Sequence, residues 1–175
     1  LHLPRVGRVQ AADGFRLVAA MNPFDNVGTA RVAGAVYDRI CRITMGYQAA
    51  ADEGDIVLAR TGDGDTTVRR RAVAVTRATR DHPDLRVGSS VRGAIDLVEV
   101  AHRLARLRST SVTNPEVGLD AALVALSGRI RVHEGSDRSA EDIVRELWDA
   151  VLAAEAPDAD DTTPKARAPT GAAAG

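Results

Sequence analysis

The chain has 175 residues, 45% of them apolar and 27% charged, which is typical of a folded domain with a buried core and excludes a disordered or fibrous chain. Its formal net charge is −1, and its single cysteine, Cys41, excludes an internal disulfide framework and a cysteine-based zinc site. We read no leader and no membrane span, because the apolar stretches are far shorter than a bilayer requires. A cytoplasmic protein is therefore expected.

The basic residues are almost all arginine. Of the 23 lysine and arginine residues, only Lys165 is a lysine. A phosphate-binding loop of the form GxxxxGK[ST] needs a lysine after its glycines, and Lys165 follows Thr-Pro instead. The chain therefore contains no such loop. The planar guanidinium suits phosphate and carboxylate partners, although a compositional bias toward arginine explains the same excess.

The N-terminal part is predicted to be the end of an α/β layer. Residues 1–4 and 8–11 alternate apolar and polar positions around a turn, which predicts a short hairpin. The apolar run at 15–21 predicts a strand buried on both faces, a helix follows at about 30–38, and 40–47 is predicted to be another strand. This succession of elements is typical of an α/β layer.

The remainder of the pattern is helical. Apolar spacing and helix caps predict five helices, over about 49–61, 66–80, 89–107, 115–127 and 139–154. The fourth is expected to be capped by Thr113 or Asn114, and the fifth by Ser139 in a sequence that resembles a capping box. A brief extended piece is expected at 129–133.

The predicted fold class is α/β plus all-α. Residues 1–62 are assigned to the last part of an α/β core and 63–154 to a helical domain. From Glu155 to the end, Pro, Asp, Thr, Ala and Gly dominate, which predicts a disordered tail over 155–175. The buried stripe of the last helix is expected to consist of Ile143, Leu147, Ala150, Val151 and Ala154.

Three polar residues are candidates for a phosphate site. Asn22 directly follows the predicted buried strand, where open α/β sheets bind ligands, and its amide could orient a water beside a phosphate; it could equally begin a turn with Pro23. Arg39 lies near the end of a short predicted helix, where the macrodipole favours a cation in any case.

The third candidate is Arg92. It falls in the first turn of a predicted helix, where the macrodipole disfavours a cation, and a bound phosphate would reconcile the two. The alternative is an ordinary surface arginine. The four histidines do not have the spacing of a metal helix, so no metal ligand is predicted. Arg69-Arg70-Arg71 is interpreted as a solvated helix face, because few aromatic residues are available for stacking on nucleic-acid bases.

Two segments resemble one known family. Residues 15–47, FRLVAAMNPFDNVGTARVAGAVYDRICRITMGY, closely resemble the region from sensor 1 to the arginine finger of the MoxR family of AAA+ ATPases. Residues 82–101, HPDLRVGSSVRGAIDLVEVA, resemble the sensor-2 region of the same family's helical lid. The resemblance covers most of residues 1–152, with the motifs in the family's order.

The resemblance implies a role for each candidate residue. Asn22 would be sensor 1, Arg39 in Tyr-Asp-Arg would be the arginine finger, and Arg92 would be the sensor-2 arginine, acting in cis or in trans. The family usually has Ser-Pro-Arg-Ala at the last motif, and this chain has Ser-Val-Arg-Gly at 90–93. The implied fold is the terminal strands and helix of a AAA+ P-loop NTPase αβα core, followed by the helical lid domain.

The resemblance also implies an activity and partners. The implied activity is hydrolysis of ATP with Mg²⁺, used for chaperone-like maturation of protein complexes or metalloenzymes. The implied partners are further copies of the chain in a homo-oligomeric ring, expected to be a hexamer, and a von Willebrand A-domain protein. In this family the Walker A lysine and the Walker B acids precede the sensor-1 strand. The chain is therefore expected to be the downstream part of a longer protein and inactive alone, with ATP and Mg²⁺ needing residues ahead of Leu1.

Two other classes remain open from the residues alone. The amphipathic helices and the absent GxxxxGK[ST] loop suit a non-enzymatic helical protein-interaction module. An arginine-rich nucleic-acid binder is disfavoured by the near-neutral charge balance.

Overall fold

The computed structural model describes residues 2–3, 5, 7–20 and 38–155. The chain divides into two compact units, with the division between Met45 and Gly46. The first unit begins with a hairpin. Strands β1 (His2–Leu3) and β2 (Gly7–Arg8) pair antiparallel, as the alternation predicts, although each is shorter than expected.

The strands predicted at 15–21 and 40–47 are wrong for the described residues. Residues 15–20 and 40–47 contain no strand, and the side chains of Leu17, Val18, Ile43 and Met45 are each more than four-fifths exposed. A strand requires a hydrogen-bonded neighbour, and in the described part of the chain no strand lies beside either run. The predicted helix at 30–38 lies outside the described residues except for Asp38, which begins a turn.

The second unit is mainly helical. In chain order it contains α1 (Ala50–Thr61), α2 (Thr66–Asp81), β3 (Leu85–Val87), α3 (Val91–Arg108), α4 (Pro115–Leu126), β4 (Arg131–Val132) and α5 (Ala140–Glu155). The five predicted helices are confirmed. None of the helices in the described ranges is both long enough and apolar enough to cross a membrane.

The predicted caps explain where the last two helices begin. The Asn114 side chain accepts a hydrogen bond from the Glu116 amide at 2.9 Å, and Pro115 occupies the first turn, where its missing N–H costs nothing. The Ser139 hydroxyl accepts from the Asp142 amide at 3.0 Å and donates to the Asp142 carboxylate at 2.7 Å. Both caps satisfy amides that would otherwise have no partner.

Strands β3 and β4 pair antiparallel beside the helices, with Leu85 opposite Val132. The expected extended piece at 129–133 is confirmed as β4, whereas β3 was not predicted. The α1 helix packs on α2 and α3, within the second unit. The predicted boundary between an α/β core and a helical domain at residue 62 stays a prediction. The predicted tail at 155–175 is wrong for its first residue, because Glu155 ends α5 and pairs with Arg70 and Arg71. Residues 156–175 lie outside the described residues.

The predicted buried stripe of α5 is wrong in part. Ile143 is buried as expected, but Ala150 and Ala154 are exposed, and Val144 and Trp148 are buried in their place. The stripe is therefore rotated about the helix axis toward the larger side chains, because these remove more apolar area from water. Trp148 is only 2% exposed and packs against α4.

Gly118 is the position at which α4 approaches the Trp148 ring. A Cβ at Gly118 would overlap two ring carbons. We expect Gly118→Ala to lower the free energy of unfolding by about 1–3 kcal/mol, because the buried ring must shift. The matched control is Gly54→Ala in α1, where a Cβ would meet no atom within 4 Å. That variant should gain about 0.5–1 kcal/mol from helix propensity. Urea unfolding of both variants measures these changes in the free energy of unfolding. A Gly118→Ala protein as stable as Gly54→Ala would refute the close contact between α4 and the Trp148 ring.

Candidate functional site

The structure describes two of the three predicted site residues, Arg39 and Arg92. Asn22 lies outside the described residues. Arg39 is exposed in the turn at 38–40, in the first compact unit. Arg92 is exposed as the second residue of α3, in the second unit. Arg92 and the residues that surround it belong to the second unit.

Arg92 lies in the first turn of α3, where no side chain caps the backbone amides or balances the positive end of the helix dipole. The N-cap residue, Ser90, makes no side-chain capping hydrogen bond, and the first turn contains no acidic residue. Among the residues that the structure describes, Arg92 has no hydrogen-bond or ion-pair partner. An uncapped helix start beside an unpaired guanidinium attracts anions, since both contribute positive charge and N–H donors.

Gly93 lets the start of α3 pack closely on α4. A Cβ at this position would overlap the Ser89 hydroxyl oxygen and a methyl carbon of Leu126. The absence of a side chain at Gly93, next to Arg92, therefore allows the close packing of α3 on α4.

The segment ahead of α3 is fixed to the end of α2. Ser89 is 1% exposed, and its amide donates to the Thr79 hydroxyl at 2.8 Å. Its carbonyl accepts from Arg80 Nε at 2.8 Å. A Cβ at Gly88 would lie 2.6 Å from the Thr79 carbonyl oxygen and 2.7 Å from Arg80 Cα, so only glycine allows this close backbone approach. These contacts set where the helix that carries Arg92 begins.

A cluster of charged residues around the buried Glu53 carboxylate holds the end of α2 that contacts Ser89. We call it the Glu53 cluster, and it consists of Glu53, Arg77, Arg80 and Tyr47. The Glu53 carboxylate, 1% exposed, accepts from Arg80 Nη2 at 2.8 Å and from Arg77 Nη1 at 3.1 Å. Arg77 Nη1 also donates to the Gln48 carbonyl at 2.9 Å, and the Arg80 guanidinium carbon lies 3.9 Å from the centre of the Tyr47 ring.

The sequence did not indicate this cluster. Its members are separated by up to 33 positions, and Glu53 stands among acidic residues in the first turn of a helix, which is where exposed acids are common. One signal was present. Arg77 and Arg80 are three residues apart on α2, so both side chains leave the same face of that helix.

All three residues of the triple arginine, Arg69-Arg70-Arg71, donate hydrogen bonds to other residues of the chain. Arg69 donates to the Asp63 carbonyl at 2.9 Å, and Arg70 and Arg71 both donate to the Glu155 carboxylate, at 3.0 and 2.7 Å. Burial raises the pKa of Glu155, but the hydrogen bonds from Arg71 and Arg70 outweigh it, and the pKa is lowered overall. The interpretation as a solvated face holds for Arg70, which is 65% exposed, and is wrong for Arg71.

Two of the four histidines, His82 and His102, lie close to acidic side chains. His82 is buried, accepts from the Asp84 amide through Nδ1 at 3.1 Å, and approaches Glu146 at 3.5 Å through Nε2. His102 Nε2 lies 3.3 Å from an Asp63 carboxylate oxygen. Within residues 7–20 and 38–155, no group of three His, Cys, Asp or Glu side chains could hold a metal ion.

Comparison with known proteins gives a distant similarity. The chain is 28% identical to the uncharacterized protein YeaC of Bacillus subtilis (strain 168), over an alignment that includes 82% of this chain and 54% of that protein. The chain thus spans about half the length of this relative. No protein-family model and no solved structure matches the chain.

Proposed function

We propose that this chain is the C-terminal part of a MoxR-like AAA+ ATPase, which couples ATP binding and hydrolysis to chaperone-like maturation of protein complexes or metalloenzymes. The observation that carries the proposal is Arg92: an exposed arginine without a partner in the described residues, at the uncapped start of a helix held firmly by its neighbours. The resemblance of residues 15–47 and 82–101 assigns this arginine to the nucleotide.

Each candidate residue has a role in the proposal. ATP supplies the γ-phosphoryl group that is transferred to water, a reaction catalysed mainly by positioning and charge stabilisation. Arg92 would contact a phosphate oxygen and couple nucleotide binding to movement of the helical domain. Asn22 would hold the attacking water or the γ-phosphate. Arg39 would reach the nucleotide of a neighbouring subunit in a homo-oligomeric ring. Mg²⁺ would depend on residues ahead of this chain.

The exposed apolar runs of the first unit support the proposal as well. Leu17 and Val18 in one run, and Ile43 and Met45 in the other, expose more than four-fifths of their surface. Side chains of this kind are normally covered in a folded protein. Under the proposal, other parts of the complete gene product would cover these side chains.

A helical interaction module is the second candidate. Leu107 on α3 and Val124 on α4 are 80% and 70% exposed, which suits contact with another protein. ATP binding separates the two candidates, because an interaction module would not bind nucleotide even in the complete gene product. A von Willebrand A-domain protein would be a partner only under the ATPase proposal.

The 175-residue chain alone is expected to hydrolyse ATP no faster than buffer. It has no lysine before Lys165 and therefore no loop that could hold the β- and γ-phosphates. Phosphate release is measured with and without Mg²⁺, with the complete gene product as the positive control. Mg²⁺-dependent turnover by the purified chain would contradict the division of the site between this chain and residues ahead of it.

A further inference from the structure

Three contacts meet at the Arg80 guanidinium. Nη2 donates to the Glu53 carboxylate at 2.8 Å, Nε donates to the Ser89 carbonyl at 2.8 Å, and one face lies 3.9 Å from the centre of the Tyr47 ring. The side chain is only 9% exposed. A lysine could not reproduce this set, because its point charge has neither the planar fork nor a stacking face.

The contact with Ser89 fixes the start of α3. Arg92 stands three residues after Ser89, and the intervening N-cap residue makes no side-chain cap. The helix start is therefore held by backbone contacts of residues 88 and 89, two of which involve Arg80: the hydrogen bond to the Ser89 carbonyl and the close approach of Gly88 to Arg80 Cα.

Two further contacts of the Glu53 cluster reach residues 47–48, which precede α1 in the second unit. Tyr47 stacks directly on Arg80, and the neighbouring Gln48 carbonyl accepts from Arg77, which shares the Glu53 carboxylate with Arg80. The Glu53 cluster thus connects residues 47–48 with the residue that precedes α3. Glu53, Arg77 and Arg80 are all joined by charged hydrogen bonds, which are stronger and more directional than neutral ones.

We propose that Arg80 is a positioning residue for Arg92: it holds the start of α3 against α2 and links it, through the Glu53 cluster, to the segment at 47–48 that precedes α1. Movement of residues 47–48 would then shift the start of α3, and with it the position of Arg92. This inference rests on the proposed function as far as nucleotide is concerned, whereas the anchoring of residues 89–93 by Arg80 is a property of the chain alone.

The test is a double-mutant cycle in the complete gene product. Arg80→Lys is combined with Arg92→Ala, and the dissociation constant of a non-hydrolysable ATP analogue is titrated for the parent, both single variants and the double variant. The matched control is Arg108→Lys, which alters an ion pair with Asp120 at the far end of α3. Thermal unfolding verifies that each variant is folded. If Arg80→Lys does not fold, Tyr47→Leu replaces it, because Tyr47 is 54% exposed and its loss removes only the stacking contact.

Arg80→Lys should raise the dissociation constant about threefold to tenfold, and Tyr47→Leu should raise it less. In the Arg92→Ala background the same substitution should have no further effect, because Arg80 acts through Arg92. The control should change the constant by less than about twofold. The proposal is overturned if Arg80→Lys raises the dissociation constant equally in the parent and in the Arg92→Ala background. It is also overturned if Arg92→Ala raises the dissociation constant and Arg80→Lys does not.

Amide hydrogen exchange separates this inference from the proposed function. In the 175-residue chain, Arg80→Lys should accelerate exchange over residues 89–93 and leave α4 unchanged. Unchanged exchange over 89–93 overturns the anchoring. If the complete gene product does not bind the ATP analogue at all, the proposed function is wrong and the nucleotide part of this inference is rejected with it, while the exchange result still decides whether Arg80 anchors α3.

Discussion

Replacing Arg39 with alanine in the complete gene product is expected to lower the turnover number for ATP by about 10³-fold or more, while the dissociation constant for ATP stays within about twofold of the parent value. The proposal gives Arg39 a contact that forms in the transition state, to charge on the phosphoryl group bound by a neighbouring subunit. Loss of such a contact slows the chemical step without weakening binding in the ground state.

Arg42 provides a matched control for the Arg39→Ala variant. Arg42 is also exposed and lies three residues further along the chain, outside the Tyr-Asp-Arg motif. Arg42→Ala should retain turnover within about threefold of the parent. Arg92→Ala should differ from both, since it removes a contact that forms when nucleotide is bound and should weaken binding as well as slow turnover. Loss of ATP binding in Arg39→Ala would return Arg39 to its alternative role as a helix-end cation.

Mixed rings test whether Arg39 acts in trans. Under the proposal the complete gene product has a P-loop lysine, and Arg39→Ala subunits are mixed with subunits in which that lysine is replaced. Some interfaces in such a ring join an intact arginine to an intact nucleotide pocket, so part of the activity should return. No recovery at any mixing ratio would exclude the trans assignment.

Removing the Glu53 carboxylate is expected to cause the largest loss of stability. Glu53→Ala leaves Arg77 and the mostly buried Arg80 without their shared counter-charge, and such uncompensated buried charge costs about 3–5 kcal/mol. For a chain of this length the loss should lower the melting temperature by about 10 °C. Glu53→Gln should fall between the parent and Glu53→Ala, because the amide oxygen still accepts a hydrogen bond.

The control for Glu53 is on the same helix. Asp55 is exposed on α1, and Asp55→Ala should change the free energy of unfolding by less than about 0.5 kcal/mol. Both variants are compared by urea unfolding of the 175-residue chain at neutral pH. A Glu53→Ala protein that unfolds within 1 kcal/mol of Asp55→Ala would show that the ion cluster does not hold the helices together.

The helices could be predicted because their signals are local. Asn114 with Pro115, and Ser139 with Asp142, lie within one turn of the helix starts that they cap, and the caps appear in the structure where the sequence predicts them. Apolar spacing then sets the length of each helix with little need of information from the rest of the chain.

The features that could not be predicted depend on distant partners. Strand β3 has only three residues and is specified by pairing with β4, about 45 positions away. The apolar run at 15–20 reads as a strand, but pairing requires a neighbour, and none lies beside it among the described residues. The α5 stripe is different, because Val144 and Trp148 are four residues apart and their size was a usable local signal.

Of the candidate site, the sequence predicted Arg92 at the start of a helix, and the structure places it there, exposed and without a partner in the described residues. The elements that hold it were not predictable. Arg80, Ser89 and Glu53 come together only after α1, α2 and the segment ahead of α3 have packed, so no spacing in the sequence reveals that they touch.

The central claim is that this chain completes an ATPase, and the most direct test is the steady-state rate of ATP hydrolysis by the purified complete gene product. We expect Mg²⁺-dependent turnover well above the buffer rate, lost in Arg39→Ala and retained in Arg42→Ala. A folded complete gene product that hydrolyses ATP no faster than buffer, with or without Mg²⁺, would contradict the claim.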